Sequence, residues 1–509
     1  MTRRQFVQAT ATGIAGVALT PHARHAWAEA PPKRRPNLLF VFSDQQSWDM
    51  LGCYGNDSIQ TPNLDGFAEA AVRFNHCVSN APVCTPYRGL LLSGRHPLHN
   101  GAVFNDWQML PGAGTHFAEV LRDAGYRTGY VGKWHLMGGD RDRPVPEGPL
   151  RYGFDDYFLT NNCTLEFRAG KSWYWDHDNQ RAFYDKWEPD AQTDHAIDFL
   201  DQREKADEQP WALFVSWHPP HNWHNPDSPN PPRWRYEGPE ASMQRYDPDK
   251  VHLRPTSPQT HEQRRIYHGY QALCSNLDDN FGRLLAALER RGELDRTVIV
   301  YTSDHGDCLR SNGRFDQHKR RPEADSARVP LLLRAPGLEA RTSDLLIGGM
   351  DLMPTLLAML GLKPPDTCHG ADLSGAIAAR NDDAVESIPM FLSSPDRTDW
   401  RGVYTHRYTY SIGPDGERFV RLYDRNHDPW EQRNLFGEPE HRSLQQDLHD
   451  KTVAWMQRFG DRLVPHEKIF QRTLKDPPAD GRLWRDGRSG ALKGRPIDRI
   501  ADIKGLIEP

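Results

Sequence analysis

The stretch of this chain with the most direct chemical potential is Cys84-Thr85-Pro86-Tyr87-Arg88, a cysteine with a proline two residues on and an arginine four on. Leucines 90–92 follow, as the first buried turn of a helix would read. Proline is tolerated in a helix's first turn and not deep inside it, so Cys84 is expected just before a helix N-terminus. Free N–H groups and the positive dipole end favour an anion there. Arg88, one turn onward, can point back at the same spot. Two other stretches end apolar runs with metal-binding types. Asp44 and Gln45 follow residues 37–43, and Asp304 and His305 follow residues 297–303. Oxygen and imidazole donors delivered by two strand ends suit Ca²⁺ or Mg²⁺ better than zinc, and the histidine admits Mn²⁺. Lys133 and His135 alternate, which puts both on one face of an extended segment.

The elements that must hold these groups are legible. Residues 38–42 form a run of five apolar side chains, as in a parallel strand buried on both faces. Polar residues at the end of such a strand land where α/β proteins bind ligands. Residues 211–217 and 297–303 read the same way, and 126–133 as strand into loop. Helices are expected over 64–72 after Pro62, over 117–124 with a stop at Gly125, over 193–200, and over 265–288 with a long apolar stripe. A further helix should begin at Asp351, with Pro354 in its first turn and Gly361 ending it. The fold class is therefore α/β. From about Ser387 the pattern changes to alternation over 402–410 and 419–423 about a Gly413-Pro414-Asp415-Gly416 turn, an antiparallel hairpin.

Residues 137–190 are loop-rich and aromatic (Trp173, Tyr174, Trp175, Tyr184, Trp187), which suits either sugar rings or packing in a long insertion. Residues 225–260, rich in proline, read as a surface excursion. The 509 residues carry a net charge of −6, so no global basic field points to nucleic acid. Thr2-Arg3-Arg4-Gln5-Phe6-Val7, a short apolar stretch and Ala26-Trp27-Ala28 make a twin-arginine signal over 1–30. No later run is long and apolar enough to span a membrane. The chain is expected in the periplasm or outside the cell. Seven cysteines with no C-x-x-C pair argue against zinc, and the odd count leaves one thiol over or one consumed by other chemistry.

Taken in order, these motifs resemble the type I sulfatases of the alkaline phosphatase superfamily. The resemblance rests on Leu51-Gly52-Cys53-Tyr54-Gly55-Asn56, Thr61-Pro62-Asn63-Leu64-Asp65, Val72-Arg73-Phe74 and the run from Cys84 to Arg95. It continues through Gly132-Lys133-Trp134-His135, Pro220-His221, Lys319 ahead of Arg328-Val329-Pro330, and Asp351-Leu352-Met353-Pro354-Thr355-Leu356-Leu357. Leu422-Tyr423-Asp424 with Asp428-Pro429-Trp430-Glu431 resembles the family's smaller C-terminal part. It implies a large mixed, mostly parallel sheet between helices with a C-terminal antiparallel subdomain: catalytic domain 31–386, subdomain 387–462, and a Pro-, Gly- and Arg-rich tail 463–509. It implies that a formylglycine-generating enzyme oxidises Cys84 to an aldehyde, whose hydrate attacks the sulfuryl group and later expels sulfate. Asp44, Gln45, Cys84, Asp304 and His305 would hold the metal, expected to be Ca²⁺. Arg88 and Lys133 would neutralise charge, and His135 would act as base. His221 and Lys319 would bind the ester, one of them donating the proton to the leaving oxygen, while His218 and His224 would be structural or peripheral. The substrate would be a sulfated carbohydrate or similar ester. Three departures stand out: Tyr87 where small residues are commoner, Gln45 for a frequent aspartate, and Ala324 where an acid is common. Gln45 with His305 is also similar to the phosphonate monoester hydrolases, the alternative activity.

Overall fold

The computed structural model describes residues 34–138, 141–203, 208–224, 234–313, 319–394, 398–414, 416, 418–464 and 469. The twin-arginine segment and nearly all of the tail lie outside them. Among the described residues ten strands form one sheet: Asn37–Asp44 (β1), Val72–Phe74 (β2), Arg127–Lys133 (β3), Tyr157–Asn161 (β4), Trp173–Trp175 (β5), Arg181–Phe183 (β6), Trp211–Pro220 (β7), Thr297–Ser303 (β8), Leu331–Arg334 (β9) and Arg341–Ser343 (β10). Their order is β10-β2-β9-β8-β1-β7-β3-β4-β5-β6. The central strands β8, β1, β7, β3 and β4 are parallel. Antiparallel pairs flank them, β8 with β9, β9 with β2, β4 with β5 and β5 with β6.

The unbroken apolar run of β1 is explained by what covers it. Leu38, Phe40 and Phe42 pack on one face with Tyr87, Leu90 and Leu91 of Cys84–Ser93 (α2) and with Gly349–Met359 (α6). Leu39 and Val41 pack on the other face with Phe199 of Glu188–Asp201 (α4) and Leu277 and Phe281 of His261–Arg291 (α5). Full burial of such side chains is worth about 1.5–3 kcal/mol each, so β1 ties both layers together. Because β1, β3, β7 and β8 run the same way, their C-terminal ends open at one edge.

A separate four-stranded antiparallel sheet follows, Ile388–Leu392, Trp400–Tyr404, Tyr408–Ile412 and Arg421–Asp424, with Arg442–Arg458 packed against it. Residues 402–410 are thus two strands, turned where the Thr405 N–H donates to the Tyr408 carbonyl at 2.9 Å. The helix of residues 64–72 ends at Glu69, because Val72 already pairs in β2. α6 opens at Gly349, not Asp351, since the Asp351 carboxylate reaches back to the Gly348 N–H at 2.8 Å; Pro354 is therefore interior. The later part of the 225–260 excursion is packed: Val251 joins Tyr267 and Tyr270 in a small core, and Arg254 pairs with Asp49 at 2.7 Å. Tyr87 does not crowd its helix. Its ring lies where a Cβ on Gly349 would fall, so the glycine makes the room.

Candidate active site

The carboxyl edge of the central strands gathers the residues singled out by type and spacing. Cys84 is the first residue of α2 rather than the residue before it, with Val83 extended as its cap and Pro86 in the first turn. Asp44 ends β1, and Asp304 and His305 follow β8, the strand beside it. Ligand atoms of Asp44, Cys84, Asp304 and His305 all lie within 4.8 Å of one another, and all four residues are buried. The Cys84 Sγ is 3.5 Å from Asp44 Oδ1 and 3.3 Å from His305 Nε2. The His305 Nδ1 lies 3.0 Å from the Gly306 carbonyl. That bond fixes Nδ1 as the donor and turns the Nε2 lone pair inward, the tautomer of a metal-bound imidazole. Gly306 serves close approach, because a Cβ there would run into the Asp325 carbonyl.

Gln45 joins this group by an unusual route. Its backbone is left-handed at φ 72°, and its N–H donates to Asp304 Oδ1 at 2.9 Å. Its Nε2 donates to Asp307 Oδ2 at 2.6 Å, while Oε1 is buried with no protein partner. Asp307 thereby orients the amide so that an oxygen is spare. Three carbonyl or carboxylate sources, one imidazole and the atom at position 84 fit a hard divalent cation.

Cations close the site. The Arg88 guanidinium donates through one nitrogen to Asp44 Oδ2 at 3.3 Å and Asp304 Oδ2 at 3.1 Å, and through another to Ser216 Oγ at 2.7 Å and the Lys133 carbonyl at 2.9 Å. The Lys133 ammonium binds Asp44 Oδ2. Lys319 Nζ lies 3.0 Å from both Cys84 Sγ and His221 Nε2. Burial would push Asp44 up, but Lys133, Lys319 and both histidines hold it well below the usual carboxylate range. Burial and the Asp44 charge instead raise Asp304. Burial and Asp44 also oppose ionisation of Cys84, yet Lys133, Lys319 and His305 bring its thiol well down.

His135 is not on an extended strand. Lys133 ends β3 and His135 turns left-handed at φ 57°, which aims its ring at the site. Its Nε2 is 2.9 Å from Asp106 Oδ1, and its Nδ1 has no partner. Burial opposes a charge on His135, but Cys163 and Asp106 lift it to about 10. Asp106, itself left-handed at φ 63°, is gripped by both arms of Arg141 at 2.7 and 2.8 Å. Asp106, Arg141, Asp307 and Cys163 escaped the sequence reading, because each lies in a loop without periodicity. His218 sits behind the site, its Nδ1 2.6 Å from buried Glu188, and nothing is described of the His224 side chain.

Comparison with known proteins gives the class. The sulfatase family pattern matches residues 36–362, and the C-terminal pattern of N-sulphoglucosamine sulphohydrolase matches residues 312–458. The chain belongs to the sulfatase family, and its reaction is the hydrolysis of sulfuric esters. It is 32% identical to an ulvan-active sulfatase of Formosa agariphila over 449 residues, 86% of this chain and 84% of that one. Among solved structures, a Bacteroides fragilis protein described as a sulfatase, yidJ, superposes with a TM-score of 0.75 at 28% identity, covering 86% of this chain and 98% of that one. BT4656, solved with its substrate D-glucosamine-2-N,6-O-disulfate, superposes with a TM-score of 0.70 at 25% identity, covering 86% and all of that chain. No helix among the described residues is long and apolar enough to cross a membrane.

Proposed function

We propose that this chain is an exported sulfatase that removes sulfate from a sulfated carbohydrate, with Cys84 matured to formylglycine by a formylglycine-generating enzyme and Ca²⁺ held beside it, Mg²⁺ or Mn²⁺ being able to replace it. The observation that carries the proposal is the buried convergence of Asp44, Cys84, Asp304 and His305 beneath Arg88, Lys133 and Lys319. The carbohydrate class is supported by the ulvan-active relative and by the sulfated glucosamine substrate of BT4656. Export rests on the twin-arginine pattern of residues 1–30, and the domain limits at 31, 387 and 463 on composition.

Asp44, Gln45, Asp304 and His305 would hold the cation with the residue at position 84. When present, the cation supplies Lewis acidity and the aldehyde hydrate an oxygen nucleophile, which a thiolate could not replace without a stable thiosulfate-type adduct. The chain's own groups supply the rest. Arg88 bridges both carboxylates and fixes their spacing. Lys133 and Lys319 face the sulfuryl oxygens, whose charge they neutralise in a site closed to bulk water. Lys319 and His221 share a hydrogen bond at the mouth, where the leaving oxygen must lie. The His221 Nδ1 is 2.5 Å from the Asn222 carbonyl, which keeps its Nε2 an acceptor and makes the Lys319 ammonium the proton donor. His135 offers the unpartnered Nδ1 as base. Cys163 and Asp106 favour its protonated form, so it acts as base from the neutral fraction that remains.

A peptide mass for the Cys84 segment, paired with sulfate release from ulvan oligosaccharides and from a phosphonate monoester, tests this. Sulfur lost and oxygen gained at Cys84, with sulfate ester the better substrate, is the expected result. An active enzyme with an intact thiol would end the mechanism, and faster turnover of the phosphonate would favour the alternative activity.

A further inference from the structure

The β5–β6 hairpin ends the sheet order and pairs with β4 near that strand's carboxyl end, through Thr160 and Trp175. Lys133 pairs with Asn161, and the Asn161 amide donates to the Trp173 carbonyl at 3.3 Å on the next strand. Two strand spacings, about 10 Å, therefore separate Trp173 from the lysine facing the sulfuryl group. Adjacent loop residues tie the two places together: Arg141 grips Asp106 behind His135, and Asp142 binds Arg181 of the hairpin.

Pairing puts four hairpin side chains on one face, because Trp173 lies opposite Phe183 and Trp175 opposite Arg181. The Arg181 guanidinium sits 4.5 Å from the Trp173 ring and 4.7 Å from the Trp175 ring, covering one side of each indole and fixing both. Phe183 is 57% exposed, the one large apolar side chain so exposed among the described residues. Thr160, directly opposite Trp175, shares that face, as does Asn162 two residues on. The Thr160 Oγ1, Asn162 Nδ2 and Trp175 Nε1 are buried without protein partners. The exposed Phe183 ring and the half-buried indoles suit the apolar face of a pyranose ring, and the spare polar atoms lie buried beside them. A core hairpin would bury Phe183 and satisfy those atoms.

We propose that the β5–β6 face, Trp173, Trp175, Arg181 and Phe183, binds the sugar residue adjoining the one whose sulfate is cleaved, so that the enzyme favours oligosaccharides over single sugars. This rests on the carbohydrate reading above. The test compares wild type, Trp173→Ala, Phe183→Ala and Trp173→Tyr on a sulfated ulvan tetrasaccharide and on an aryl sulfate. In both alanine variants the tetrasaccharide-to-aryl-sulfate ratio of kcat/KM should fall about tenfold, through KM, and Trp173→Tyr should recover most of it. In parallel, Cys84→Ala protein, which cannot turn over, should bind the tetrasaccharide about tenfold more weakly when Phe183→Ala is added. An unchanged ratio in a wild type that does cleave the tetrasaccharide overturns the platform alone. So does a change from dimer to monomer in Phe183→Ala with the ratio unmoved, which would make the face a subunit contact. A wild type that cleaves aryl sulfate but no sulfated sugar sinks the carbohydrate reading, and the platform with it.

Discussion

Two regions of this molecule bury charged side chains, and they do so in opposite ways. In the C-terminal subdomain each charge closes on partners. Arg401 pairs with Asp461, donates to the Leu392 carbonyl at 2.6 Å and lies 4.0 Å from the Phe391 ring. Glu431 accepts from the Ala324 N–H and the Thr409 hydroxyl, both at 2.5 Å. At the sheet edge the charges converge on one small space. Asp44 and Asp304, two like charges, point their oxygens there, and Gln45 Oε1 and His135 Nδ1 are left without protein partners. Burying charge costs several kcal/mol per ion in either place. A closed set is recovered locally and acts as scaffold. An open set must be held by the rest of the fold, and its spare acceptors are what a ligand uses.

The largest effect should separate the two regions most cleanly. Cys84→Ala should lower sulfate ester hydrolysis by more than about 10³-fold while thermal unfolding stays close to wild type, because a small buried side chain leaves an open set. Asp461→Ala should do the reverse. It strands the buried Arg401 and should cost about 3–5 kcal/mol in urea unfolding, with kcat/KM of the folded fraction retained. A stable Asp461→Ala protein, or a Cys84→Ala protein that unfolds early, would break the contrast.

Between these lies Asp106, a closed partner serving an open site. Asp106→Ala should lower kcat about 10–100-fold, as removal of an outer hydrogen-bond partner does, with little change in KM. Asp106→Asn, which keeps an oxygen for His135, should recover part of it. Equal losses for the two variants would make Asp106 mere packing.

What the sequence disclosed follows the same division. The central strands were legible because a strand covered on both faces must be apolar throughout, and parallel neighbours bring Asp44, Lys133, His221 and Asp304 to one edge. Gln45 was legible only as a neighbour of Asp44; its left-handed backbone and the Asp307 contact that frees its oxygen have no pattern. Asp106 and Arg141 come from loops, where position is set by tertiary contacts and not by period. The alternation at 402–410 misled because a tight turn at Thr405 preserves the polar–apolar rhythm while reversing the chain. Residues 234–260 misled because Arg254 and Val251 are buried singly, without the repeats that mark a helix or strand.

The gentlest prediction concerns pH and tests whether closed sets are purely structural. Burial raises Glu431 from the ordinary value to about 7, Arg425 and the Thr409 hydroxyl opposing it. The folded state therefore keeps a proton that the unfolded chain gives up near pH 4.5. Below that pH both states are protonated and Glu431 contributes no slope. Between there and about pH 7 the unfolded state binds fewer protons, so stability falls as pH rises, by on the order of 1 kcal/mol per pH unit; above it the contribution is flat. Glu431→Gln stays neutral throughout and should remove that slope from unfolding curves taken between pH 5 and 7, leaving the pH profile of kcat unmoved. If the activity profile shifts with the stability profile, the subdomain is coupled to the reacting edge, and the division between scaffold and site drawn from their buried charges fails.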